Sequence, residues 1–413
     1  MSSRPLALFE GYGIEIESMI VDARTLDTLP VADEVLRDAS GGEAWVEDHE
    51  DGVIAWSNEL VLHLLELKTN GPAPSFAGLA ASFTASAAHL NELLSRRGAR
   101  LMPTGMHPWM DPAREARLWP HDSGPVYRAY DRLFDCRRHG WANLQSVHLN
   151  LPFADEREFA RLHAAVRVVL PLIPALAASS PFVEGRATGE LDSRIGVYRS
   201  NAARTPAMSG AVIPDSIDRI DEYRRLIFEP IDRELRGLGA DEALLGQEWT
   251  NARGAIARFD RMAVEIRLID AQECARCDLA VAAAVSGLVR ALVEERWSAH
   301  ALQRAAPTAE LAELLWSAAA TGRHAPVGNS AWLALFGPHG DGARTLGDLL
   351  ARAVEDSFSG PPELEAPIET VLRDGCLSER ILAVAGPAPD RDGLRAVYGA
   401  LCEHLVDGRV FRP

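Results

Sequence analysis

The stretch Gly13-Ile14-Glu15-Ile16-Glu17 alternates carboxylates with β-branched apolar residues, the pattern of a strand with one polar and one buried face. Glu15 and Glu17 then share a side, while Ile14 and Ile16 turn toward a core. Two carboxylates about 7 Å apart repel by roughly 2–3 kcal/mol at an effective dielectric near 20. A cation between them turns that repulsion into affinity. The pattern recurs in Ser146-Val147-His148-Leu149-Asn150 and in Val264-Glu265-Ile266-Arg267-Leu268. Singly, each has a plain structural reading: a solvated sheet face for Glu15 and Glu17, a core or surface histidine for His148, and an exposed ion pair worth under about 1 kcal/mol for Glu265 with Arg267. Their recurrence points to a metal-holding sheet, with His148 as a neutral imidazole ligand. Glu265 would bind metal and Arg267 a phosphate held by it. Oxygen-rich sites with one imidazole suit Mg2+ or Mn2+ better than zinc.

The totals bound the answer. A chain of 413 residues, 47% hydrophobic and 24% charged, has the composition of a globular protein of one large or two to three smaller domains. A formal charge of −17 argues against nucleic acid as a partner. An anionic substrate then needs local positive charge, from metal ions or focused arginines. The opening Met1-Ser2-Ser3-Arg4-Pro5-Leu6-Ala7 carries no leader-like apolar run, and no apolar stretch of about 18 residues stands out as a membrane span. Five cysteines, Cys136, Cys274, Cys277, Cys376 and Cys402, suit a reducing compartment, so a cytoplasmic protein is expected. Cys274 and Cys277 form a single C-x-x-C in Ala-rich sequence, which reads as a structural helix rather than a zinc site.

Working outward, Gly11 to Val21 is the first strand, closed by a turn at Asp22–Leu26. Ser57-Asn58-Glu59 opens the apolar stretch Leu60–Leu67, ending at Lys68-Thr69-Asn70-Gly71. A buried strand is preferred, yet Glu59 and Glu66 have opposite parity, so a strand needs a bulge to point both one way. A helix places Glu59, His63 and Glu66 on one side without a bulge. Ser75 to Arg96 reads as an amphipathic helix stopped near Gly98. Arg100–Pro103 reads as a short strand leading to the loop Gly105-Met106-His107-Pro108-Trp109. Glu156 to Leu170 is a helix whose continuation Pro171 and Pro174 kink or interrupt. Pro181 to Pro214, rich in Gly, Ser, Thr, Asn and Arg, reads as a long loop over a site. Cys277 to Trp297 is an Ala/Leu/Val helix, and beyond about residue 300 the pattern is helical with Gly/Pro breaks.

Arginines cluster at Arg186, Arg194, Arg199 and Arg204, then at Arg253, Arg258 and Arg261. Guanidinium groups match carboxylate or phosphate in bidentate fashion, although solvated surface is the plain reading of any one of them. No phosphate-binding G-x-x-x-x-G-K-[ST] loop, dinucleotide fingerprint or G-x-S-x-G elbow is present.

Taken in order, these segments resemble glutamate–cysteine ligase family 2, the bacterial carboxylate–amine ligases of the glutamine synthetase superfamily. The likeness rests on Gly13–Glu17, Glu59–Thr69, Gly105–Trp109, Val147-His148-Leu149, Ser179–Arg186, Tyr198-Arg199-Ser200 and Val264–Asp270. It covers about residues 9 to 295. The resemblance implies an α+β fold: a curved, mainly antiparallel sheet of about six strands forming a funnel, with helices packed outside. It implies residues 1–300 as the catalytic domain, with 301–413 as a helical C-terminal extension packed on it. ATP and Mg2+ or Mn2+ would sit in the funnel. Glu15, His148 and Glu265 would hold one metal, and Glu17, Glu59 and Glu66 another, which favours a distorted strand for 59–67. Arg267 would contact the ATP phosphates. Arg199, and with it Arg204, would meet the acidic substrate or its acyl phosphate; Arg204 and Arg253 join Arg267 as nucleotide-binding candidates, and Arg267, Arg199 and Glu66 are the catalytic ones. Ser146 and Asn150 depart from the family pattern, where histidine and glycine are common, which bears on substrate identity.

The implied reaction is ATP-dependent amide formation, between an amino-acid carboxylate such as glutamate and an amine such as cysteine, in a possible homo-oligomer. A metal-dependent amide hydrolase, a silent binding protein on the same fold, and a phosphagen-type kinase are the rivals. ADP release separates the first two from a ligase, and a phosphoguanidine product the third.

Overall fold

Strand β1 (Gly13–Asp22) follows the alternation of its opening sequence, and it pairs along both backbone edges. The computed structural model describes residues 4–413, so the first three residues of the segment read as free of a leader lie outside the described part. The other strands are β2 (Asp48–Asp51), β3 (Ile54–Asn58), β4 (Leu64–Thr69), β5 (Ala99–Met102), β6 (Ser146–Pro152), β7 (Phe182–Val183), β8 (Arg186–Ala187), β9 (Ala255–Arg258) and β10 (Ala263–Asp270). Eight of them form one antiparallel sheet in the order β2-β3-β4-β1-β6-β10-β9, with β5 pairing β1 off that path. The sheet is open rather than a closed barrel, and it has eight strands where the sequence suggested about six. The hairpin β2–β3 and the edge strand β9 were not read from the sequence.

Register explains the site. Glu15 lies opposite both Lys68 and His148, and Glu17 opposite Glu66. Glu265 lies opposite Asn150, and Ser57 opposite Glu66. Residues directly across a ladder share a face, so the carboxylates of β1, β4 and β10 and the imidazole of β6 emerge together. Ile14, Ile16, Leu65, Leu67, Val147, Leu149, Val264 and Ile266 turn the other way into the main core. That face is covered by three helices, Leu79–Ser95, Glu156–Val169 and Ala275–Val293.

Several sequence readings need correction. The apolar stretch 60–67 is neither one strand nor a helix: it folds back at Leu62-His63, and β4 begins only at Leu64. The turn is fixed by Leu62 N–H donating to the Arg117 carbonyl and by Ala32 N–H donating to the Leu62 carbonyl. Glu59 therefore sits in the connection, outside the ladder, and the parity conflict disappears. The helix expected from Ser75 starts at Leu79, after Gly78 at φ +76°. Residues 181–214 are not a long loop. They hold the β7–β8 hairpin and a nine-residue helix, Ser193–Asn201, capped by the Asp192 side chain on Ile195 N–H. Polar composition masked a helix that packs against His139–Ala142 and Thr308–Thr321.

The helix from Glu156 runs on through a 3-10 turn at Leu170–Leu172 to Ala177, because Pro171 and Pro174 fall where a missing N–H is tolerated. This span, Glu156–Ala177, is apolar and long enough to cross a bilayer, contrary to the sequence reading, but 89% of its apolar window is buried inside the protein. Beyond residue 300, helices Leu346–Ser357 and Glu365–Asp374 pack on Ala275–Val293, and Arg391–Asp407 packs on Leu79–Ser95 and β5. Arg380 pairs with Glu273 at 2.6 Å in the interior, tying this region to the end of β10.

Candidate active site

The polar face of the sheet floors a cavity of about 1240 Å3. That exceeds the usual range for a single small ligand and leaves room for a nucleotide beside other substrates. Glu15, Glu17, Glu59, Glu66, His148, Glu265 and Arg267 all line it, so seven residues singled out from distant parts of the sequence meet in one place. Glu15, His148 and Glu265 offer ligand atoms that lie within 4.8 Å of one another.

The contacts are specific. His148 Nδ1 is 2.8 Å from Glu15 Oε2 and 3.9 Å from Glu265 Oε1. Asn150 Nδ2 donates to Glu15 Oε1 at 3.2 Å. Gly13 permits this, because a Cβ there would stand 3.0 Å from the Asn150 Cβ. Glu265, 1% exposed, receives Arg258 Nη1 on Oε2 at 2.9 Å and Arg267 Nε on Oε1. Ser57 Oγ donates to Glu66 Oε1 at 2.9 Å, and Lys68 Nζ is 3.6 Å from the same oxygen. Arg261 Nη1 stands 3.6 Å from Glu15 Oε1.

Arg267 reaches the cavity through a break in the ladder. The β10–β6 register shifts between Ile266 and Ile269, and Arg267 N–H donates instead to the Gly254 carbonyl at 2.9 Å. Such bulges re-aim a side chain beside a site. Arg194 secures it: its Nε meets Asp270, and both Nη atoms lie 3.3 Å from the Arg267 carbonyl.

Electrostatics divide the carboxylates in two. Burial pushes Glu15 up, but the hydrogen bond and charge of His148, with Arg261 and Arg267, outweigh it and hold the group at about 2. Burial disfavours the His148 cation, yet Glu15, Glu17 and Glu265 lift it to about 9. Burial likewise opposes ionisation of Glu265, and Arg267 leads the charges that lower it below its ordinary value. Glu59 behaves oppositely: burial, then the charges of Glu17 and Glu15, raise it to about 8. Glu66 is raised well above its ordinary value by burial, Glu15 and Glu59. Glu66 stands directly opposite Glu17 across the β1–β4 ladder. The donor set of carboxylate oxygens with one imidazole nitrogen fits a hard divalent cation such as Mg2+ or Mn2+.

Three of the expected arginines lie elsewhere. Arg199 is exposed on the Ser193–Asn201 helix, its guanidinium 4.6 Å over the Trp316 ring. Arg204 is exposed and donates to the Leu133 carbonyl. Arg253, 5% exposed, is a strut: Nη1 donates to the Ala207 carbonyl at 2.9 Å and to Asn251 Oδ1 at 3.1 Å, and Nη2 to Asp215 at 3.1 Å. The arginines that do line the cavity beside Arg267 are Arg4, Arg194, Arg258 and Arg261. Reading 193–201 as a loop hid the signal, since Arg194 and Tyr198 are four residues apart on one helix face. Lys68 and an aromatic wall of Tyr127, Tyr130, Trp141 and Trp249 were also missed. Ser146 and Asn150 touch the carboxylates of Glu17 and Glu15. Cys274 and Cys277, buried and 3.6 Å apart at the start of the Ala275–Val293 helix, take no part.

Comparison with known proteins agrees in direction. The model of glutamate-cysteine ligase family 2 matches residues 12–398, well past the residue 295 reached by the short motifs. An uncharacterised protein of Archaeoglobus fulgidus is 39% identical over 284 residues, which span 68% of this chain and 75% of that one. A Pseudomonas aeruginosa protein provisionally named glutamate–cysteine ligase 2 is 31% identical over 312 residues, 72% of this chain and 70% of that one. Among solved structures, a glutamate–cysteine ligase of Francisella tularensis in complex with AMP superposes with a TM-score of 0.65 over 96% of this chain and 88% of that one. At 15% identity that likeness concerns the fold.

Proposed function

The chain belongs to glutamate–cysteine ligase family 2 and is an ATP-dependent ligase; from that premise we propose that it forms a γ-glutamyl amide bond through an acyl phosphate. Glutamate is the acid and an amine such as cysteine the acceptor. An oxygen of the substrate carboxylate attacks the γ-phosphorus of ATP, the bridging P–O bond breaks and ADP leaves. The amine nitrogen then adds to the acyl carbon and loses a proton as the C–O bond to phosphate breaks. No enzyme nucleophile is needed.

The observation that carries this reading is the convergence of Glu15, His148 and Glu265 within 4.8 Å beside Arg267 in one roomy cavity. Glu15, His148 and Glu265 would hold one divalent cation, and Glu17, Glu59 and Glu66 a second. A divalent cation, when bound, neutralises phosphate oxygens and orients them for in-line transfer. Arg267, with Arg258 and Arg261, supplies guanidinium groups to the same oxygens, and such fixed charges act strongly where water is excluded. The AMP in the Francisella relative supports a nucleotide in the cavity. Residues 1–300 carry this chemistry, and 301–413 buttress the helices behind the sheet.

The test is a screen of amino acids and amines with glutamate, ATP and Mg2+, followed by ADP release and product mass. An amide formed one-to-one with ADP is expected. Product formation without ATP, or ATP turnover giving a phosphoguanidine, overturns the reading. Glu15→Gln and Glu265→Gln should each abolish ADP release, and full activity in either purified variant counts against it.

A further inference from the structure

Three side chains on β6 face the carboxylates, and the middle one is held in a hydrogen-bond pattern that makes its Nε2 a donor. Ser146 donates twice to Glu17 Oε2, from its N–H at 2.6 Å and from its hydroxyl at 2.8 Å. A serine hydroxyl has one proton, and in this geometry it points to the Glu17 oxygen. The same Ser146 Oγ lies 3.0 Å from His148 Nε2. Oγ can only accept there, and Nε2 is therefore the donor. Nδ1, on the opposite edge of the ring, is the atom 2.8 Å from Glu15 and 3.9 Å from Glu265. It is the ring nitrogen that belongs to the three-residue cluster.

We propose that Ser146 is a positioning residue that keeps hydrogen on His148 Nε2, so that Nδ1 is the ring nitrogen left to a divalent cation held with Glu15 and Glu265. This rests on the metal reading of the site given above. A ligating histidine is oriented by whatever its other nitrogen bonds, and loss of that partner costs about 10–100-fold in metal affinity. Here the partner is a hydroxyl that passes the constraint to Glu17, so the two carboxylate groups on either side of β1 are coupled through one oxygen. Asn150, two residues further along the same face, holds the other oxygen of Glu15 and completes the row.

The full-length protein tests this. Mn2+ titrations on EDTA-treated, dialysed protein should show Ser146→Ala binding about 10–100-fold more weakly, with Ser146→Thr, which keeps the hydroxyl, restoring most of the affinity. A purely structural role would lower the Tm of the metal-free Ala variant without this split between Ala and Thr. With 15N-labelled histidine and Mg2+, assigned through His148→Asn, the wild-type ring should carry its proton on Nε2. Wild-type Mn2+ affinity in Ser146→Ala, or a proton on Nδ1 in the Mg2+-bound wild type, overturns the proposal. Should Ser146→Ala fail to fold, the Thr titration and the wild-type spectrum decide. Glu265→Gln is the control: if it too binds Mn2+ normally the metal reading itself falls, whereas loss there with none in Ser146→Ala removes only the role of Ser146.

Discussion

Replacing Glu59 with glutamine should stabilise the metal-free protein while removing a cation ligand. Burial and the neighbouring Glu17 and Glu15 raise Glu59 from 4.5 to about 8. The folded state then holds a proton that the unfolded chain has lost, so between pH 4.5 and about 8 stability falls as pH rises. At pH 7 the difference amounts to roughly 3 kcal/mol, and because Glu59 is only half-buried, screening brings the working figure to about 1–3 kcal/mol. With an unfolding entropy of about 2.1 cal/mol/K per residue over 413 residues, that is a rise in Tm of about 1–3 °C. Thermal unfolding of wild type and Glu59→Gln in EDTA should show this gap at pH 7.5 and a smaller one at pH 5, where the wild-type carboxyl costs little. Saturating Mn2+ at about 100 times its Kd should add about 2.7 kcal/mol to wild type and less to the variant. A variant no more stable than wild type at pH 7.5 without metal, yet equally stabilised by Mn2+, would refute the reasoning.

Arg258→Met frees one oxygen of Glu265, so Mn2+ should bind the metal-free protein at least as tightly while the KM for ATP rises about tenfold, roughly 1.4 kcal/mol; unchanged steady-state kinetics would count against a phosphate role. Arg199→Ala should leave ligase activity intact and cost at most about 1 kcal/mol from its contact with Trp316, whereas Arg253→Ala should lower stability by about 3 kcal/mol in denaturant titrations because buried carbonyls lose their donor. His107 is depressed to about 3 chiefly by burial. In the unfolded chain it takes a proton near 6.5, so the stability it confers is lost as pH falls below that value. Wild type should lose about 1 kcal/mol more than His107→Gln between pH 6.5 and 5.5 in urea titrations; parallel pH curves would show the ring is not held neutral.

The parts legible in sequence were those governed by period-two alternation. Glu15, Glu17, His148 and Glu265 could be placed on one face because a strand leaves no choice of side. Glu59 and Glu66 were legible as ligand types but not as geometry, since the fold-back at Leu62-His63 is held by carbonyls at Arg117 and by the N–H of Ala32, far away in sequence. The arginines failed for a related reason. A guanidinium reaches far from its backbone, so its target depends on tertiary neighbours: Trp316 for Arg199, Ala207 and Asp215 for Arg253. Arg258 and Arg261 look equivalent to these in sequence; the pairing of β9 with β10 brings Arg258 to Glu265. The helical region after residue 300 has no alternating charge pattern to read, and its link to the site, Arg380 with Glu273, is a buried pair spanning 107 residues.

The charge arrangement also explains how so acidic a chain can host anionic substrates. In the cavity, Glu15 and Glu265 stay ionised because His148, Arg258, Arg261 and Arg267 surround them. Glu59 and Glu66, which have fewer cationic neighbours, instead hold protons. Without metal the carboxylates thus meet cations and hydrogen bonds rather than bare repulsion. A cation that takes an oxygen of Glu265 must release a guanidinium, and a cation that takes Glu59 or Glu66 must release a proton. The freed arginines stand at the cavity floor, where phosphate oxygens arriving with the cation are their natural partners. Metal and nucleotide should therefore bind better together than apart, because each supplies the counter-ion that the other displaces. The overall charge of −17 does not oppose this, since the field that a phosphate meets at close range is set by these few groups and not by the distant surface.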